Sequence, residues 1–233
     1  MVLQLFCDSR DRVSGNPSDF IIQLPTTLAL QQKTRGRIDD LRIPMCIPTV
    51  QSSLNDTINI LMGATSYTVT IPQANYDGAG LANKIQTLLI AAIPGSWSVV
   101  YDTSNIAMTI SCSNNFTITG GTYAAQLLSR AYTQTSNSYR FSYVPVQGSD
   151  VLYLCSPTLS SASTSIGPKG AHDTLMSVVV TCGYGSVIDA SMSTSVFFEV
   201  PAMTTQTLSF QLRDRNYNIL NIVPNISFTL SIE

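Results

Sequence analysis

The sequence predicts an all-β protein: an antiparallel sandwich or barrel that carries a β-rich insertion with one helix between its early and late strands. Three observations carry this prediction. Apolar and polar residues alternate at a period of two along most of the chain, in runs roughly 8–15 residues apart, with Gly, Pro, Asn and Ser between them. That spacing suits a sandwich or barrel and leaves no room for βαβ units. Ser and Thr make up roughly a quarter of the chain, a bias that fits half-buried pleated surfaces. One segment alone, around Leu81 to Ala92, has apolar residues at helical spacing.

Taken in order, Phe20 to Pro25 reads as a strand closed by its proline, after a polar loop from Val13 to Asp19. Gly36 to Pro44 reads as the next, with Ile38, Leu41 and Ile43 available for a core. Thr57 to Met62 and Tyr67 to Ile71 follow, joined by a turn at Gly63-Ala64. Leu81, Ile85, Leu88, Leu89 and Ala92 form one helical stripe, with Asp77 as N-cap and Pro94-Gly95 as stop. Trp97, Val99 and Tyr101 then alternate with Ser96, Ser98 and Val100. Asp102 to Asn105 turns the chain, and Ile106, Met108 and Ile110 alternate again as a hairpin. Phe116 to Ile118 is a further strand, and Ala124 to Ala131 a short helical turn.

The second half is strand and loop. Asp150 to Cys155 is a strand before a Ser/Gly-rich loop from Ser156 to Gly170. Leu175 to Cys182 is a continuous β-branched run of the kind buried between two sheets. Val196 to Val200, Thr207 to Leu212 and Ile226 to Ile232 complete the set. The division expected is a sandwich built from residues 1–50 and 150–233, with residues 51–149 inserted in one of its loops. A sandwich tolerates such an insertion because the two ends of a loop lie close together.

Charge is what the chain lacks. Asp, Glu, Lys and Arg are 11% of residues, against about 25% in an ordinary soluble domain. Hydrophobic residues are 44%, and the mean hydropathy is +0.18. With 12 basic and 14 acidic residues the net charge is −2, so no basic field exists for a phosphate backbone and no direct sequence-specific nucleic-acid binding is expected. Disorder is excluded on the same figures. A free monomer would display more charge for solubility, so the shortage implies a surface largely covered by partner subunits. No apolar run reaches the ~18 residues of a membrane span. The N-terminal Met1 to Phe6 meets Asp8, Arg10, Asp11 and Arg12 too soon for a signal peptide. Cys7, Cys46, Cys112, Cys155 and Cys182 are odd in number and widely spaced, and read as buried reduced thiols in a protein that is not secreted. The sequons at Asn55, Asn115 and Asn225 would matter only after secretion.

No catalytic constellation stands out, and no enzyme, cofactor or metal is expected. The lone His172, beside Asp173, is read as a solvated loop residue, because serines are too abundant for a Ser-His-Asp pairing to carry information. Asp39 and Asp40 are neighbours in a predicted strand, so their side chains should point to opposite faces. A metal site from Asp8 and Asp11 is conceivable but not favoured. Gly183 and Gly185 lack a following helix and read as a turn. Lys33, Arg35, Arg37 and Arg42 are offset by Asp39 and Asp40, and read as a solvated or subunit-facing strand. The densest charge clusters are Ser9-Arg10-Asp11-Arg12 and Leu212-Arg213-Asp214-Arg215-Asn216. At a subunit interface such Arg–Asp groups set register and partner choice more than affinity. Arg10, Asp11, Arg12, Arg213, Asp214 and Arg215 are therefore the candidate contacts to other subunits.

The ordered run of segments resembles the penton and minor capsid proteins of adintoviruses, polinton-like viruses, virophages and related double-stranded DNA viruses with double jelly-roll major capsid proteins. The resemblance rests on Asp8 to Arg12, Ser18 to Pro25 and Asp40 to Pro44, then on Val69 to Pro72, Asn75-Tyr76, the helix at Leu81 to Leu89, Val99 to Asp102 and Met108 to Ile110. It ends on Leu208 to Asp214 and Phe228 to Leu230. Each motif is weak alone; their order carries the specificity. The resemblance implies an antiparallel jelly-roll sandwich as the core, with the inserted domain facing outward. It also implies a homopentamer at the five-fold vertices of an icosahedral capsid, in contact with the major capsid protein and with a vertex spike or host receptor as a further candidate partner. Its place would be the virion, after assembly inside the host cell.

Two other readings stand beside this one. A minor capsid protein of the cement or triplex kind would share the fold but not the five-fold symmetry. A jelly-roll module that binds glycan or a receptor would need exposed aromatic rings, for which Trp97, Tyr101 and Tyr123 are the candidates, although their strand positions favour a core.

Overall fold

The computed structural model describes residues 2–127, 135–144, 146, 149–159, 170, 173–191, 197–220 and 224–233. They form two compact units, one from Met1–Ile47 with Ser149–Glu233 and one from Pro48–Gly148. In chain order the first unit opens with β1 (Leu3–Asp8), a 3-10 turn (Ser9–Asp11), β2 (Arg12–Asn16), β3 (Asp19–Leu30) and β4 (Thr34–Pro44). The second contributes β5 (Thr57–Met62), β6 (Thr65–Thr70), α1 (Gly78–Ala92), β7 (Trp97–Asp102), β8 (Ala107–Gly120), α2 (Thr122–Leu127) and β9 (Ser136–Phe141). The first unit resumes with β10 (Val151–Cys155), β11 (Thr174–Val179), β12 (Val187–Ser191), β13 (Phe198–Val200), β14 (Met203–Arg213) and β15 (Ser227–Ile232).

Pairing in the first unit is nested. β1 pairs β15, β3 pairs β14, β4 pairs β12 and β13, and β10 pairs β11, all antiparallel. The first half of the chain is thus zipped to the second half in reverse order. The ribbon closes into two sheets, β1-β15-β4-β12 and β11-β10-β14-β3-β2. This is the jelly roll, an all-β antiparallel sandwich of two Greek keys. Alternation explains its core: Phe20, Ile22 and Leu24 of β3 and Leu208, Phe210 and Leu212 of β14 point inward from one sheet. Leu41 and Ile43 of β4 and Phe228 and Leu230 of β15 meet them from the other. The Phe210 ring lies 4.8 Å from Phe228, edge to face, and 5.6 Å from Phe20. Each such buried ring contributes about 1.5–3 kcal/mol by leaving water.

The second unit is a sheet, β6-β5-β8-β7 with β9 also on β8, packed against α1. Asp77 accepts a hydrogen bond from the Gly80 N–H at 2.6 Å and caps the helix. Gly63, at φ +59, makes the two-residue turn between β5 and β6. Trp97, Phe116 and Tyr139 pack edge to face at 4.8 and 4.9 Å. The Trp97 indole donates to the Ile93 carbonyl, and the Tyr139 hydroxyl to that of Phe116. Trp97 and Tyr123 are buried and Tyr101 half-buried, so Trp97 and Tyr123 belong to this core and offer no stacking surface to a sugar.

Several sequence expectations are corrected. β3 does not stop at Pro25 but continues to Leu30. Leu24 to Thr27 lie opposite Gln206 in a register irregularity, and β2 pairs no further along β3 than Ile22, so the missing proline N–H removes no rung. The expected polar loop at Val13–Asp19 holds most of β2 and a tight return into β3. The run from Leu175 is no double-covered strand: β11 is a sheet edge, ends at Val179, and leaves Val179 65% exposed. Phe116 to Ile118 is not separate but the far half of the 14-residue β8, which pairs β7 first and then β5. Ile106 falls in the turn at φ +51, and Ala92 is exposed while Ile93 takes the buried position. Asp39 and Asp40 do not straddle the sheet. Both lie opposite Thr229 at a bulge, with Ile38 and Leu41 on either side buried, so neither carboxylate enters the core. The short helix begins at Thr122, two residues earlier than expected, and residues 128–131 of that expectation lie outside the described residues. So do His172, residues 160–169 of the Ser/Gly-rich loop, and Val196.

Candidate functional site

The two charge clusters lie at one end of the sandwich, and the pairing register puts them there. Asp8, Ser227, Arg42 and Asp189 form a single row across the first sheet, through β1, β15, β4 and β12. The turn after β1, the exit from β4 at Pro44, the 180–186 turn and the 214–226 connection all leave from this end. Gly183 and Gly185 belong to the 180–186 turn, where Gly185, at φ +88, donates its N–H to the Met45 carbonyl.

The first cluster is a tightly bonded turn. Asp8 caps the 3-10 segment by accepting the Arg10 N–H at 2.8 Å. It also takes the Arg10 guanidinium bidentately, Nη2 donating to Oδ2 at 2.6 Å and Nε to Oδ1 at 3.1 Å. That hydrogen-bonded cation holds the Asp8 carboxyl below the usual carboxylate range. Arg12 runs back across the turn and donates to the Ser9 carbonyl at 2.7 Å, to Asn225 at 3.3 Å and to the Gly15 carbonyl at 3.2 Å. Ser9 is buried and exchanges hydrogen bonds with Ile226 in both directions. Asp8 is bonded to Arg10, and among the described residues no group of three His, Cys, Asp or Glu is placed to hold a metal ion.

The second cluster is organised by Asp214, which is buried. Its carboxylate accepts from the N–H groups of Asn216 and Asn218, each at 2.8 Å, and from the Asn218 amide at 3.2 Å. Arg213 lies 4.5 Å over the Tyr217 ring and donates to Gln211 and to the Tyr217 carbonyl. Arg215 is exposed and reaches Asp150 at 3.4 Å. The six candidates therefore divide. Arg12, Arg213 and Asp214 are engaged in shaping their own loops, while Arg10, Asp11 and Arg215 project into solvent. Exposed pairs such as Arg10–Asp8 add little stability to a monomer, about 0–1 kcal/mol each.

Sequence reasoning missed a third group, which the fold assembles beside the second cluster. The Tyr217 hydroxyl donates to Asp173 and lies 2.9 Å from the Thr174 hydroxyl and 3.2 Å from the Cys155 thiol. Burial, and then donation to Asp173, push the Tyr217 phenol above its ordinary range. Burial pushes the Cys155 thiol up to about 11. Both shifts favour the protonated forms, and the hydrogen bonds among these side chains brace the loop against the sheet edge. No spacing signal could have announced it, since its members come from three separate strands and loops.

No helix among the described residues is long and apolar enough to cross a membrane. No family model and no curated protein matches the chain. Among solved structures, the chain is similar to the mavirus penton protein, with a TM-score of 0.51 and 10% identity over 100% of this chain and 99% of that one. At that identity the likeness is one of fold. It extends over the jelly roll and the residues inserted between β4 and β10 alike.

Proposed function

We propose that this chain is a structural capsid protein, a penton protein that forms a homopentamer at the five-fold vertices of an icosahedral double-stranded DNA virus. The observation that carries the reading is the end-to-end likeness to a penton protein, insertion included, in a chain with 11% charged residues. A jelly roll alone serves many functions; here the likeness takes in the residues between β4 and β10 as well, since it covers 100% of this chain and 99% of the penton protein. A closed ring buries two surfaces of every protomer, and neighbouring capsomers would cover more. This accounts for a surface so poor in charge.

The mechanism is one of shape, without turnover. In this reading the sandwich, built from residues 1–47 and 149–233, sits in the shell and contacts the major capsid protein. The inserted unit faces outward, where a spike or receptor would bind. Arg10, Asp11 and Arg215 supply the polar register of the contacts, and Arg12, Arg213 and Asp214 hold the loops that present them.

The test is the solution mass of the purified chain by native mass spectrometry over a range of salt. Five copies of 25.2 kDa make about 126 kDa, the expected result for a closed ring. A mass of about 76 kDa would replace the vertex role with that of a trimeric minor capsid protein. A monomer at all concentrations would overturn the ring and favour a recognition module.

A further inference from the structure

On the sandwich unit the large apolar side chains open to solvent are not scattered. Val2 and Phe6 lie just before and on β1, and Val13 lies on β2. Val179 ends β11, Val187 begins β12 and Phe197 precedes β13. Among the described residues of this unit, Ile219 is the single exposed large apolar side chain away from these strands and the turns beside them.

The topology turns this list into two surfaces. β1 ends the first sheet and β2 ends the second, with three residues between them, so both edges lie on one flank. β11 ends the second sheet and β12 ends the first, joined by the 180–186 turn, and they form the opposite flank. Soluble proteins usually protect free strand edges with Lys, Pro or inward charge. Neither β1 nor β11 has a Lys, Arg or Pro, and β11 has no charged residue at all. Phe6 is 82% exposed on the outward face of its edge strand. A ring of that size buries 150–250 Å² when covered.

We infer that the β1–β2 flank of one copy of this chain docks against the β11–β12 flank of the next, with Phe6 as the anchor. The inference rests on the homopentamer proposed above and specifies which surfaces close it. A second copy is the occupant because one protomer carries two different apolar flanks. A two-fold dimer pairs one flank with itself and leaves the other bare, whereas head-to-tail contacts cover both in every protomer once the ring closes. The charges agree. Asp8 is paired with Arg10 on the first flank and Arg42 with Asp189 on the second, so neither pair brings a net charge to the contact.

The experiment uses two full-length variants, Phe6→Asp and Val187→Asp, each read by native mass spectrometry and by circular dichroism against the wild type. Both residues are exposed, so both variants are expected to fold and to run as 25.2 kDa monomers. Mixed one to one, they are expected to form a pair of about 50 kDa and nothing larger. The Phe6→Asp copy retains a sound β11–β12 flank, and the Val187→Asp copy a sound β1–β2 flank. Should either variant lose its β signature, Phe6→Gln and Val187→Thr are read the same way. Variants that keep the wild-type mass, or a mixture that stays monomeric, overturn the flank assignment while the pentamer stands. A wild type that is itself monomeric overturns the pentamer and this inference with it.

Discussion

The phenolic hydroxyl of Tyr217, in the loop after β14, donates its hydrogen bond to the carboxylate of Asp173, 44 residues earlier at the foot of β11. Tyr217 sits at φ +66, a left-handed conformation that costs a side-chain-bearing residue about 1–2 kcal/mol. The loop meets that cost by tying the Tyr217 N–H and carbonyl to Asp214 and Arg213 and its hydroxyl to Asp173 and Thr174. One side chain thus fastens the charged turn at 212–216 to the edge of the second sheet.

Replacing Tyr217 by Phe keeps the ring under Arg213 and removes the hydroxyl. The expected loss is about 1–3 kcal/mol, because Asp173 is deprived of a charge-assisted donor, and urea denaturation measures it. The phenol is held above its ordinary value in the folded chain, so the unfolded chain releases that proton more readily. The contribution is therefore fully present below pH about 10 and is lost as the pH rises further. The gap in stability between wild type and Tyr217→Phe should be constant from pH 7 to 9 and shrink at pH 10.5 and above. A gap that persists there would separate the hydroxyl from the brace.

The thiols should react in a graded order. Cys7 and Cys155 are buried, and burial pushes them up to about 12 and about 11, so at pH 8 almost no thiolate is present at either. Cys46 and Cys182 are half-buried and should be the first to react with an aromatic disulfide reagent. Cys7 and Cys155 should react only after denaturation. Fast labelling of Cys155 in the folded chain would mean that the Tyr217 brace opens.

In the inserted unit, Asp77→Ala removes the acceptor from the Gly80 N–H and should cost about 1 kcal/mol, with Asp77→Asn close to neutral. Gly78→Ala is a steric test of the same helix start. A Cβ there would stand 2.2 Å from the Tyr101 ring, so the ring must move, at about 1–3 kcal/mol. Thermal unfolding read by the Trp97 fluorescence of this unit measures both, and a Gly78→Ala protein as stable as the wild type would show that Tyr101 yields freely.

What could be read along the chain is whatever depends on near neighbours. The Asp77 cap, the Gly63 turn and the alternation in β5, β7 and β14 each lie within a few residues, and spacing alone encodes them. The charge clusters at Arg10–Arg12 and Arg213–Arg215 were visible for the same reason, as charge in a chain that has little. Their division into loop-holding and solvent-facing members was not, because Arg12 meets Asn225 across 213 positions and Arg213 meets Asp173 only once β14, β10 and β11 have paired. β1 and β2 escaped notice because their alternation is short and half exposed; as sheet edges, each has a neighbour on one side alone. The bulge at Asp39-Asp40 and the passage of β3 through Pro25 likewise depend on the partner strand, since whether a residue is extra or a missing N–H matters is a property of the pair. Long-range register decides which polar groups meet, and no local pattern encodes that.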